Sequence, residues 1–261
     1  MLVDSHCHLD FVGDVEARAQ AMARARAAGV EHVVVPGVSP EEWRELELMR
    51  SLDGVDVAVG IHPEWLGKLT DAEVSDGLAR LATEAKRLGA VAIGEFGMDG
   101  PAEKAGVPYD RQRAVLDAHL EVARALELPV ILHVFRCQGV ALDALKRHGP
   151  LRAGGVVHSY SGSAELVPQY VGLNLHLSFA GAVTRPNAER PIKALRAVPP
   201  ERLLVETDSP DQLPDGVDAE RTEPAHVRVV AEAVARHLGE TADVVAARTT
   251  TNAVRLFRLA R

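Results

Sequence analysis

Residues 3–11 read Val-Asp-Ser-His-Cys-His-Leu-Asp-Phe and place two imidazoles, His6 and His8, one residue apart. Four more metal-competent side chains follow short β-rich runs: Glu95 in AIGEFGMD, His133 in LPVILH, His158 in GVVHSYSG and Asp208 in LLVETDSP. Imidazole is the common ligand of Zn, Mn, Ni and Fe, and a carboxylate can join two ions. The set therefore predicts two divalent ions. His6, His8 and Asp208 surround one, His133 and His158 the other, and Glu95 lies between. Ions about 3.5–4 Å apart in such a site clamp both the attacking and the leaving oxygen of a displacement. An isolated histidine at a strand end is usually a hydrogen-bonded structural residue. What carries the reading is the coincidence of His6, His8, Glu95, His133, His158 and Asp208 at successive strand ends. His32, His119, His148, His176, His226 and His237 show no such placement and read as structural.

The elements that must position these groups alternate along the chain. The strand candidates are MLVDSH, EHVVVP, VDVAVGIH, GAVAIGE, LPVILH, AGGVVHS, LNLHLSF and RLLVETD. Between them run stretches of helical period such as DVEARAQAMARARAAG and DAEVSDGLARLATEAKRLG, several ending at a glycine. Eight βα units predict an α/β fold of the TIM (β/α)8 barrel type. An open doubly wound sheet would carry a glycine-rich loop after its first strand, and HCHLDF is not one. Extra C-terminal helices are expected at about 223–237 and 241–257. Residues 1–261 form a single domain, with 97–108 and 209–222 as its least regular stretches. Barrel active sites lie at the C-terminal strand ends, where all six groups fall, with His62 ending the third strand. Strand alternation puts His6 and His8 on one side and Cys7 on the other. Asp4 and Glu206 are then inward-facing residues beneath the ligands, placed to orient them. Cys137 has no base beside it and reads as structural.

A length of 261 residues suits one such barrel, and 47% hydrophobic with 25% charged residues is ordinary for a globular core. Two cysteines make no disulfide framework, and neither a basic-apolar leader nor an apolar run of about 20 residues occurs. The expectation is a cytoplasmic protein with no membrane segment. A net charge of −8 argues against tight non-specific coating of nucleic acid, and 4% aromatics leave few stacking platforms.

The motifs DSHCHLD, GIHP, AIGEFGMD, LPVILH, GVVHSYSG and LLVETDSP, closed by TTNAVRLF, resemble the TatD-type metal-dependent hydrolases of the amidohydrolase superfamily. The likeness spans about Val3 to Phe257. It implies a TIM barrel and a divalent-metal hydrolase, most often a deoxyribonuclease removing nucleotides from the 3′ end of single-stranded DNA. The metal ligands it implies are His6, His8, Glu95, His133, His158 and Asp208, the set reached above, and it makes His62 a substrate contact. Three stretches depart from the family pattern: Gly100-Pro101 after GEFGMD, Val134-Phe135 ahead of Arg136, and Thr222 in RTEP where an asparagine is common. All three are expected in substrate-facing loops.

The expected chemistry is phosphodiester hydrolysis by a water activated between two ions, Mg, Mn or Zn. Asp208 takes its proton, Glu95 holds the spacing, and His62 and Arg136 steady the phosphate. The same constellation can attack a carbonyl, so a small ester, amide or phosphodiester is the alternative substrate. A partner-dependent subunit of a larger DNA-processing assembly is the other alternative.

Overall fold

All eight β-rich runs form strands in the computed structural model, which describes residues 1–260. They are β1 (Leu2–Asp4), β2 (Val30–Pro36), β3 (Val55–Val59), β4 (Ala92–Asp99), β5 (Val130–Phe135), β6 (Gly155–Val157), β7 (Leu175–Phe179) and β8 (Leu203–Val205). Neighbours in sequence pair in parallel from β1 to β8. Helices cover the outer face, so both faces of each strand are shielded and the strands are rich in Val, Ile and Leu. The seam is laced by backbone bonds from Ser5 N–H to the Val205 carbonyl (3.2 Å), Asp208 N–H to His6 (3.0 Å) and His8 N–H to Ser209 (2.7 Å). The last two bring the His6–His8 segment against Asp208.

The helices are α1 (Val15–Ala27), α2 (Trp43–Arg50), α3 (Asp71–Leu88), α4 (Gly100–Lys104), α5 (Tyr109–Leu126), α6 (Gln138–Lys146), α7 (Val167–Gly172), α8 (Glu189–Ala197), α9 (Val227–Leu238) and α10 (Ala242–Phe257). Their ends follow local chemistry. Asp14 caps α1 by accepting from Ala17 N–H, and Thr70 with Glu73 forms a capping box on α3. Gly89 ends α3 in the left-handed region at φ 59°, where a glycine carries no Cβ penalty.

Inside the barrel, Val3, Val34, Ala58, Ala92, Ile131, Val156 and Leu204 meet Ala253, Leu256 and Phe257 of α10. The C-terminal helix thus plugs the barrel floor with apolar side chains, each contributing roughly 1.5–3 kcal/mol by burial for the larger ones. The opposite mouth is left to the polar groups.

Several boundaries differ from the sequence reading. β1 stops at Asp4, β3 at Val59 and β8 at Val205, so His6, His8, His62 and Asp208 sit in the loops beyond, while His158 directly follows β6. Glu95 and His133 lie within β4 and β5. Strand alternation therefore does not govern His6 and His8; the lacing to Asp208 and Ser209, in the loop after β8, does. Asp4 does not sit beneath a ligand ring: its carboxylate accepts from Thr207 N–H (2.9 Å), Thr207 Oγ1 (2.5 Å) and His6 N–H (3.4 Å). Residues 97–104 are not irregular, since β4 runs on to Asp99 and α4 follows it, Asp99 capping the helix. Residues 209–222 do lie outside any helix or strand.

Candidate metal centre

Glu95 stands at the centre of the mouth with 1% exposure, and its two oxygens face different groups. Oε2 lies 3.2 Å from His6 Nε2 and 3.4 Å from His8 Nε2, and these nitrogens are 3.6 and 3.9 Å from Asp208 Oδ1. Oε1 lies 2.8 Å from His158 Nε2, 2.9 Å from His133 Nδ1 and 3.2 Å from His62 Nε2. The six sequence-predicted ligands and His62 therefore meet in one buried cluster with a carboxylate shared between its halves.

This arrangement fits a divalent-metal centre. Among the described residues Glu95 Oε2 has no hydrogen bond although it is buried, and the His6 and His8 Nε2 atoms converge on it. His6 Nε2 and His8 Nε2 approach each other to 3.2 Å, and His133 Nδ1 and His158 Nε2 to 3.1 Å. Imidazole nitrogens crowd in this way when their lone pairs are aimed at a common point. The combinations His6–His8–Asp208 and His6–Glu95–His158 could each hold an ion, while His62 stands beside Glu95 and His133.

Hydrogen bonds from outside the cluster set the direction of two rings, His133 and His62. Asp99 Oδ2 accepts from His133 Nε2 (3.0 Å), which turns the Nδ1 lone pair inward. Glu206 Oε1 lies 3.4 Å from His158 Nδ1 and also accepts from Ser159 N–H at 2.6 Å. His62 Nδ1 accepts from Glu64 N–H at 3.2 Å, so the ring proton sits on Nε2 and points into the centre as a donor. Gln212 Nε2 donates to Asp208 Oδ2 (2.6 Å) and Ser159 Oγ (2.5 Å), fixing the rotamer of the acid.

The charges respond to this crowding. Burial alone would raise the Glu95 carboxyl, but His158, His62 and His6 outweigh it and hold it well below the usual carboxylate range. Asp208 behaves alike: burial is overcome by His158, His6 and His8, and its carboxyl is lowered. Burial and neighbouring His133 push His62 down to about 4, leaving it neutral. His8 is driven the other way, to about 9, because Glu95 overcomes its burial.

A cavity of about 600 Å³ opens above the cluster, walled in part by Phe11, Trp65, Phe135, Arg136, Arg185 and Gln212. Of the three stretches that depart from the family pattern, it takes up Val134–Arg136 among the described residues. The expectation that all three face substrate is corrected. Thr222 is 2% exposed and lies beneath the rim, its carbonyl accepting from Ser209 Oγ. Gly100 is buried at the start of α4, where a Cβ would press on the Arg136 carbonyl. Cys7 is buried among the outer core residues, and burial pushes the Cys137 thiol up to about 12, which suits neither for nucleophilic work.

The family model described as TatD related DNase matches residues 3–258. The chain belongs to the TatD-related DNase family. This TatD-family chain is similar to a Bacillus subtilis (strain 168) protein named as an uncharacterized metal-dependent hydrolase, YabD, at 35% identity over 99% of this chain and 100% of that one. It is 32% identical to a protein of a Rahnella strain named 3′-5′ ssDNA/RNA exonuclease TatD, over 93% of this chain and 92% of that one. The crystal structure of YjjV, a TatD homologue from Escherichia coli K12, superposes with a TM-score of 0.89 at 29% identity, covering 99% and 98% of the two chains. Among the described residues no helix of this TatD-family chain is long and apolar enough to cross a membrane.

Asp99, Gln212 and the mouth aromatics Phe11 and Trp65 were not legible as site residues in advance. Asp99 had a signal: it lies four residues after Glu95 on one strand, on the same face. Gln212 had none, since its approach to Asp208 depends on the fold of an irregular loop.

Proposed function

We propose that this metal-dependent hydrolase of the TatD family is a nuclease that removes nucleotides from the 3′ end of single-stranded DNA. The observation that carries the reading is the shared Glu95 carboxylate, one oxygen toward His6, His8 and Asp208 and the other toward His133 and His158. His6, His8, Asp208 and Glu95 would hold one divalent ion, and His133, His158 and Glu95 the second. Bound ions supply Lewis acidity and bring a water's pKa toward neutrality.

The chain's own groups do the rest. Asp208, kept ionised by its histidine neighbours and aimed by Gln212, receives the proton of the attacking water. His62 is a neutral ring with its Nε2 proton directed inward, placed to donate to a phosphate oxygen as charge develops there. Arg136, on the cavity wall, meets a non-bridging oxygen with its guanidinium. Names of relatives such as the Rahnella exonuclease support the polynucleotide substrate, and the family supports hydrolysis.

The test is a time course on single-stranded DNA labelled at the 5′ end, with Mg, with Mn and with chelator, beside Asp208→Asn. A ladder shortening from the 3′ end is expected with metal, absent with chelator and reduced at least ~100-fold in the variant. An intact strand alongside hydrolysis of a small phosphodiester or ester would move the substrate to a small molecule.

A further inference from the structure

The chain has five phenylalanines, and Phe96, Phe179 and Phe257 are at most 1% exposed. The other two, Phe11 at 39% and Phe135 at 37%, both stand at the mouth of the metal centre. Leaving such rings partly in water forgoes stabilisation by burial, so exposure confined to a cleft marks a surface kept for contact. Each lies against one half of the cluster. Phe11 is stacked on His8 at 5.4 Å between ring centres, and Trp65 continues the row at 6.4 Å with its plane only 29° away. Phe135 lies 6.4 Å from the ring of His133 on the other side. A cation attends each end: Lys68 Nζ lies 3.6 Å over Trp65, and the Arg136 guanidinium 4.9 Å over Phe135.

We infer that these are two base platforms, Phe11–Trp65 on one side and Phe135–Arg136 on the other, which take the bases flanking the scissile phosphate. The inference rests on the nuclease reading and adds the source of its affinity. Charge is a poor source here, because Glu64 and Asp211 share the cavity wall with Arg136 and Arg185 and the whole chain carries −8. Stacking works without charge, and it tolerates any base because every base offers a π face. The substrate is accordingly a single strand whose bases are free to splay, cut with little base preference.

The experiment measures KM and kcat for single-stranded oligonucleotides that are intact or carry stable abasic nucleotides on either side of the terminal phosphodiester. It compares the wild type with Phe135→Leu and Trp65→Leu, which keep apolar bulk and remove the ring. Base removal is expected to raise the wild-type KM about tenfold or more on each side. Each variant should show a similar rise with the intact strand, and removing the base on its own side should then add nothing. Equal penalties for base removal in wild type and variants would overturn the platforms while leaving the nuclease reading intact. Failure to cut any oligonucleotide, with metal-dependent hydrolysis of bis(p-nitrophenyl) phosphate retained, would overturn both. If Trp65→Leu fails to fold, the exposed Phe11→Leu carries the same comparison on that side.

Discussion

Asp99 acts on the metal centre through a single hydrogen bond to His133 Nε2, and that bond decides which ring nitrogen faces inward. Replacing it by Asn keeps the size of the side chain but withdraws the charge that favours this tautomer. Asp99→Asn should weaken binding of one of two divalent ions by about 10–100-fold, leaving the other nearly unchanged, as read by calorimetric titration of metal-free protein. Equal weakening of both ions, or of neither, would remove Asp99 from this role. At this scale the metal-competent residue types were readable in advance, because imidazoles and carboxylates follow successive β-rich runs in the order of a barrel rim. The partners were harder to see. Glu206 was recognisable from its place two residues before Asp208, whereas Asp4 follows the same spacing before His6 and yet serves Thr207. β1 and β8 both end before the ligand positions, so strand alternation settles neither placement.

Loops rather than strands carry much of the aim. Arg136, Ser159, Asp208 and Gln212 are non-glycine residues in the left-handed region, at φ 54°, 43°, 55° and 51°, and all line the cavity. Such backbone costs on the order of 1–3 kcal/mol per residue and persists where the surroundings over-determine it. Beneath His62, Gly60 passes so near β4 that an added Cβ would lie 2.6 Å from the Glu95 carbonyl oxygen. Gly60→Ala should therefore push β3 and β4 apart, lowering stability by about 1–3 kcal/mol and activity by at least ~10-fold. Urea unfolding and the DNA time course check this together; a variant with wild-type stability and rate would show that the loop absorbs the methyl group freely. The periodic stretches between strands were legible as helices because their apolar spacing and caps are local. The continuation of β4 to Asp99 was not, since its pairing with β5 is what keeps Gly97–Asp99 extended.

For the whole molecule, buried neutral histidines outside the centre set a pH limit on stability. Burial lowers His119 to about 4 against the weaker opposing pull of the Val115 carbonyl, and burial with Arg202 nearby lowers His176 to about 4. In the unfolded chain both titrate near 6.5. Between about pH 4 and 6.5 the unfolded state thus binds more protons, so stability falls as pH drops through this window and is fully present above it. Each group accounts for at most about 3 kcal/mol. His119 also accepts from Ile61 N–H at 3.0 Å, beside His62. Metal-free His119→Gln should be less stable than wild type at pH 7.5, and the gap should narrow at pH 4.5 in urea unfolding. An equal gap at both pH values would assign the acid sensitivity elsewhere. The division between sequence and structure follows the range of the forces involved. Residue type, apolar period and capping act over a few positions, and from them the order of eight βα units and the six metal-competent side chains could be read. Which ring nitrogen turns inward, how Glu95 divides its oxygens and which phenylalanines stay in water depend on contacts between segments up to some 200 residues apart, such as Asp208 N–H to the His6 carbonyl. Only the closing of the barrel brings those segments within hydrogen-bond reach.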